Sequence, residues 1–86
     1  MLDIHPSARK HGLDDADIRH AVEQAIVVAR QHDDVDRLLC LGADRTGRFL
    51  EVVVATRPGA PDLVLHAMAM RLKYVRLLRG IGGDDA

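Results

Sequence analysis

The 86-residue sequence holds no tryptophan, one tyrosine, one phenylalanine and one cysteine. With aromatics this scarce, the core has to be aliphatic, and Tyr74 stands out as a candidate for a role besides packing. The single Cys40 rules out an internal disulfide. Set in the apolar run "RLLCLG", it reads as a buried structural thiol. His5, His11, His20, His32 and His66 form no HxxxH pair and have no second cysteine to join, so no zinc spacing exists. A phosphate-binding glycine loop is absent, since "GIGG" near the end follows no strand, and so is a GxSxG nucleophile elbow. No apolar stretch approaches the roughly 20 residues of a membrane span, and the start lacks a signal-peptide pattern. These absences lead to the expectation of a cytoplasmic protein with no cofactor, no metal and no membrane contact.

A hydrophobic share of 48% suffices for one small globular domain, expected over residues 1–80 with a flexible tail at 81–86. The net charge of −1 removes any global sign of nucleic-acid binding, but the distribution is uneven. Asp14, Asp15, Asp17, Glu23, Asp33, Asp34 and Asp36 crowd the first half, whereas Met68 to Gly80 carries four cations and no acid. A near-neutral total can therefore hide a basic face.

Periodicity and punctuation give a coarse plan. "HPSARKHG" has Pro6 where a helix starts and Gly12 where one ends, so a short first helix is expected. "LDDADIRHAVEQA" reads as a second, with Asp14 as N-cap and Ile18, Val22 and Ala25 on one stripe. The stiff Ile26-Val27-Val28 favours a strand over a longer helix. After the turn "QHDDVD" come the strands "RLLCLG" and "RFLEVVVATR", joined as a hairpin across "ADRTG". "PGAPD" leads to "LVLHAMA", and a last helix is expected from about Met70 to Leu78, ended by Gly80. The sum is an α+β domain: a small antiparallel three- to four-stranded sheet with two N-terminal helices and one C-terminal helix.

Strict alternation along "LVLHAMA" puts His66 on a face with Val64 and Met68, and Leu63, Leu65 and Ala67 on the other. Along "RFLEVVVATR" it puts Glu51, Val53, Ala55 and Arg57 together and Arg48, Leu50, Val52 and Val54 opposite. A carboxylate within "FLEVVV" is costly unless it faces water or an arginine answers it. A lone histidine among aliphatics commonly serves structure, Met70, Tyr74 and Leu77 fit one helical stripe, and Arg76 and Arg79 fit a solvated helix end. Gathered in one place, however, imidazole, guanidinium, ammonium and phenol are the groups that cleave RNA without metal. Attack by a ribose 2′-hydroxyl needs a base, cations on the phosphoryl oxygens and an acid for the leaving oxygen. The catalytic candidates are His66, Arg71, Lys73, Tyr74 and Arg48, and the candidates for RNA contact are Arg9, Lys10, His11, Arg37 and Arg76.

Several motifs in order resemble the BrnT family of small bacterial toxins, within the RelE/ParE-like group of toxin–antitoxin ribonucleases. They are Lys10-His11-Gly12-Leu13 before an acidic helix, Asp36-Arg37-Leu38-Leu39-Cys40-Leu41-Gly42, and Gly47-Arg48 through Leu50, Val52, Val53, Thr56 and Arg57, then a strand running into a basic helix. The resemblance implies a RelE-like fold and a metal-independent mRNA interferase. It also implies a cognate antitoxin over the basic face, in a toxin–antitoxin heterotetramer or beside a homodimer. Lys10, His11, Arg37 and Arg48 match its motifs. The family's last strand carries a paired-arginine motif resembling "ISARRA", and here "LHAMAMRLKY" has His66 for the serine and Met68 and Ala69 for the arginines. Either Arg71, Lys73 and Tyr74 substitute from the helix, or nuclease activity has gone and a partner-binding domain that tunes transcription remains.

Overall fold

Branched aliphatics in alternation build a sheet through the middle of the chain, because their stiff side chains pack well on a pleated surface. In the computed structural model, which describes residues 2–31 and 34–81, this sheet has five strands. They are β1 (Asp3–Ile4), β2 (Val27–Gln31), β3 (Asp34–Ala43), β4 (Phe49–Ala55) and β5 (Leu63–Ala69), in the order β1-β5-β4-β3-β2. β2 to β5 form an antiparallel meander, and β1 joins β5 in parallel, which makes the sheet mixed. The helical elements are a 3-10 turn at Pro6–Arg9, α1 (Asp15–Glu23), a second 3-10 turn at Leu72–Tyr74 and α2 (Val75–Ile81).

This corrects the expected RelE-like plan of three or four antiparallel strands with two N-terminal helices. The first expected helix is a single 3-10 turn, capped where His5 Nδ1 accepts from the Ser7 amide at 3.1 Å. Gly12, at φ 79°, then turns the chain away before an α-helix has the length to propagate. Just upstream, Asp3 and Ile4 pair with Leu63 and Val64 and supply the unforeseen strand. The C-terminal helix starts later than expected because Arg71 is extended, at φ −83° and ψ 154°. Of the expected 31–36 turn, Gln31 belongs to β2 and 34–36 to β3, and 32–33 lie outside the described residues. The expected tail also lies outside them from residue 82, and Ile81 ends α2.

Two apolar clusters fill the two faces. On one, Ile18 and Ala21 of α1 and Ala8 of the first 3-10 turn meet Cys40, Leu50, Val52, Val54, Val64 and Ala67. The isoleucine, leucine and valines among them each stabilise the fold by roughly 1.5–3 kcal/mol when fully removed from water. α1 lies so close to β3 that a Cβ placed on Gly42 would stand 2.0 Å from the Ala21 carbonyl oxygen. On the other face, Met70, Tyr74 and Leu78 cover Leu39, Leu41 and Val53. This second cover is smaller and leaves part of the sheet open.

The β3–β4 turn is organised by buried Asp44, whose carboxylate accepts from Thr46 N at 2.9 Å, Thr46 Oγ1 at 2.7 Å and Arg48 N at 2.9 Å. The Thr46 hydroxyl first, then the two amides and Arg48, outweigh burial and hold the Asp44 carboxyl down to about 2. A depressed folded-state value means the stabilisation is complete above the ordinary 3.8 and drains away as pH falls toward about 2. Melting midpoints taken across that window should fall for the natural chain and fall less for Asp44→Asn. Equal slopes would mean that the turn does not depend on the ionised carboxylate. Among the described residues, no helix is long and apolar enough to cross a membrane.

Candidate functional site

A carboxylate in the centre of a five-stranded sheet has to be answered or it is expelled. Glu51 of β4 is 1% exposed, and it accepts four hydrogen bonds. Arg71 supplies three: its backbone N–H and Nε, each 3.0 Å from Oε1, and Nη2, 2.7 Å from Oε2. His66 Nε2 lies 3.1 Å from Oε2. Burial pushes the Glu51 carboxyl up, but the Arg71 guanidinium, the Arg71 amide and His66 together outweigh it and hold it below the usual carboxylate range. The same hydrogen bonds raise Arg71, so both partners are ionised. Of the two alternatives for a carboxylate inside "FLEVVV", an arginine's answer is the one that holds. It also explains why the backbone at Arg71 stays extended, since its N–H is spent on Glu51 and not on a helix.

His66 reaches Glu51 through an irregularity that alternation does not reveal. Val53 pairs with His66, but Val54 pairs with Val64, so Leu65 is one residue too many in β5. This bulge resets the side-chain period. Val64 and Ala67 both enter the core under α1, while His66, beside Val53, remains on the Glu51 face. The expected pairing of His66 with Val64 on one face is thus corrected. The N-terminal segment holds the bulge: Ser7 Oγ donates to the Leu65 carbonyl at 2.6 Å, and the His5 amide donates to the Val64 carbonyl at 2.9 Å. The turn at Gly12 then lays His11 against His66, edge to face, with ring centroids 5.8 Å apart.

Tyr74 belongs to the small apolar cluster and is also a platform for cations. The Arg71 guanidinium lies 5.8 Å and the Lys73 amine 5.1 Å from its ring centroid. Above buried Glu51 opens a groove of about 330 Å³, bordered by Gln31 and Arg37 and by His66, Arg71 and Tyr74. Of the residues singled out from sequence, the structure brings His66, Arg71, Tyr74 and Arg37 to this groove, with His11 against His66. Others lie elsewhere. Arg48 binds Asp44 at the β3–β4 turn, Arg9 is held by both oxygens of Asp15, and Lys10 is exposed in the loop before His11. Arg76 lines a separate surface hollow with Lys73, Arg79 and the 88% exposed Leu72. Glu51 and Gln31 are groove residues that were not among the candidates. Only Glu51 left a signal, the cost of its charge in an apolar strand. Among the described residues, no cluster of His, Cys, Asp and Glu is suited to a metal ion. No family model, no curated protein and no solved structure matches the chain.

Proposed function

We propose that this chain is the toxin of a bacterial toxin–antitoxin pair, a metal-independent ribonuclease that cuts mRNA in the cytoplasm, as the BrnT resemblance implies. The observation that supports it is the meeting of two imidazoles: His66, beside Arg71, Arg37 and Tyr74 at one open groove, and His11, packed against the His66 ring. In this reading one imidazole takes the proton of a ribose 2′-hydroxyl as O2′ bonds to phosphorus. The P–O5′ bond breaks, and the other imidazole, in its protonated form, gives the leaving oxygen its proton. The products are a 2′,3′-cyclic phosphate and a 5′-hydroxyl. Arg37 and the edge of Arg71 not turned to Glu51 balance the charge that gathers on the phosphoryl oxygens. A cognate antitoxin, as partner in a heterotetramer or beside a toxin homodimer, covers this face and silences it.

The test is RNA cleavage by the purified chain in the presence of a chelator, with cyclic-phosphate ends as the readout. His66→Ala should lower the rate about 100-fold or more, the usual size of an acid–base contribution. A natural chain that leaves mRNA intact and does not arrest growth on induction would overturn the reading. A second reading is favoured by the commitment of Arg71 to Glu51, which draws that guanidinium away from a phosphate, and by exposed Leu72 amid cations. It is a non-enzymatic domain that binds a partner protein and tunes operon transcription, and it predicts a stable complex that survives His66→Ala without any cleavage.

A further inference from the structure

We infer that Glu51 is a positioning residue, which holds His66 as its Nε2–H tautomer and thereby makes Nδ1 the atom that takes the 2′-hydroxyl proton. This inference rests on the ribonuclease reading and adds to it which imidazole nitrogen works and what aims it. The geometry carries it. Oε2 of Glu51 lies 3.1 Å from Nε2, and the same carboxylate already receives three donors from Arg71. A carboxylate so surrounded has no proton to offer, so the hydrogen in the contact belongs to the imidazole. A neutral imidazole has one N–H, which leaves a lone pair on Nδ1. Among the described residues no hydrogen bond engages that atom, and the His66 side chain is 27% exposed at the groove.

Among the described residues, the ionisable groups near His66 are Glu51 on β4, His11 from the N-terminal loop, Arg71 beyond β5, Arg37 on β3 and Tyr74 in the second 3-10 turn. Glu51 is the anion among them. When Nδ1 accepts the 2′-hydroxyl proton, the new imidazolium charge meets a fixed carboxylate on its opposite nitrogen, as in other carboxylate–histidine pairs. Arg71 then acts through Glu51, fixing both oxygens so that one of them always points at His66. This also gives a reason for an arginine whose Nε and Nη2 face the protein interior.

Glu51→Gln tests the idea on isotope-labelled protein. The amide oxygen should stay with the Arg71 N–H and Nε, which puts the NH₂ group against His66 Nε2 and turns Arg71 Nη2, a donor it cannot bond, out toward the groove. That nitrogen must then accept, and the ring is forced into the Nδ1–H tautomer. Long-range ¹H–¹⁵N spectra should show Nε2–H in the natural chain and Nδ1–H in the variant. RNA cleavage should fall about 100-fold in kcat with KM unchanged. An Nδ1–H tautomer in the natural chain overturns the inference, and so does a flipped tautomer in the variant with cleavage unimpaired. The natural-chain spectrum stands even if the variant fails to fold. A chain with the expected tautomer that cleaves no RNA overturns the ribonuclease reading instead, leaving the Glu51–His66 geometry in place.

Discussion

Gly42→Ala is expected to remove about 3 kcal/mol of stability, the upper part of the usual range for overpacking, measured as a lower urea midpoint at constant slope. The added methyl would stand 2.0 Å from the Ala21 carbonyl oxygen, 2.9 Å from its carbon and 3.0 Å from the Ala25 Cα. All three are backbone atoms, so no side chain can swing away to make room. Either α1 lifts from the sheet or β3 bends. Lifting α1 would expose Ile18 and Ala21 together with the strand residues beneath them. Domains of this size hold only about 4–13 kcal/mol in total, so the loss is a large fraction of the margin. A loss under about 1 kcal/mol, the size of an ordinary surface change, would show that α1 is not seated this closely.

Arg71→Ala is expected to lower the melting midpoint by roughly 10–20 °C near neutral pH, because it strands a buried charge. Glu51 cannot turn to water at 1% exposure, and it would lose both guanidinium hydrogen bonds, two of its four, at once. The Arg71 backbone N–H survives the substitution but has no guanidinium to keep it in register. The reverse change is gentler: without Glu51 the half-exposed Arg71 side chain can move into solvent. Glu51 is held below its usual range in the natural chain, so its stabilisation is present at neutral pH and lost on acidification. In Arg71→Ala that order should reverse, with mild acid partly restoring the midpoint by protonating the stranded carboxyl. A midpoint that is unchanged at neutral pH would mean that water already reaches Glu51.

The meander was legible because its signals are local. β2 to β5 each carry their own run of branched residues, and glycine, proline and aspartate mark the turns between them. Alternation along β4 correctly grouped Glu51 with Val53 and separated both from Leu50, Val52 and Val54, which lie under α1. The same alternation already set Arg48 on the face away from Glu51, at odds with gathering it beside His66. Two features left no trace in the sequence for a physical reason. A two-residue strand such as Asp3–Ile4 has no period to detect, and its partner is far along the chain. A bulge is a matter of register between strands, so "LVLHAMA" looks regular although Leu65 is unpaired in it. The pairing of Glu51 with an arginine was foreseeable from the cost of its charge, but which arginine depends on the extended backbone at Arg71.

The bond from Ser7 to the Leu65 carbonyl ties together residues 58 positions apart, and it steadies the bulge that aims His66. A nascent chain must therefore hold its early segment in waiting until β5 has been synthesised. The acidic helix and the hairpins can form while that segment is still undocked, because their partners are neighbours in order of synthesis. The groove cannot, since Tyr74 and Arg71 arrive later still. A polypeptide that stops short of residue 71 thus exposes the sheet without the arginine that answers Glu51, and the groove takes shape only once Arg71 and Tyr74 have been added.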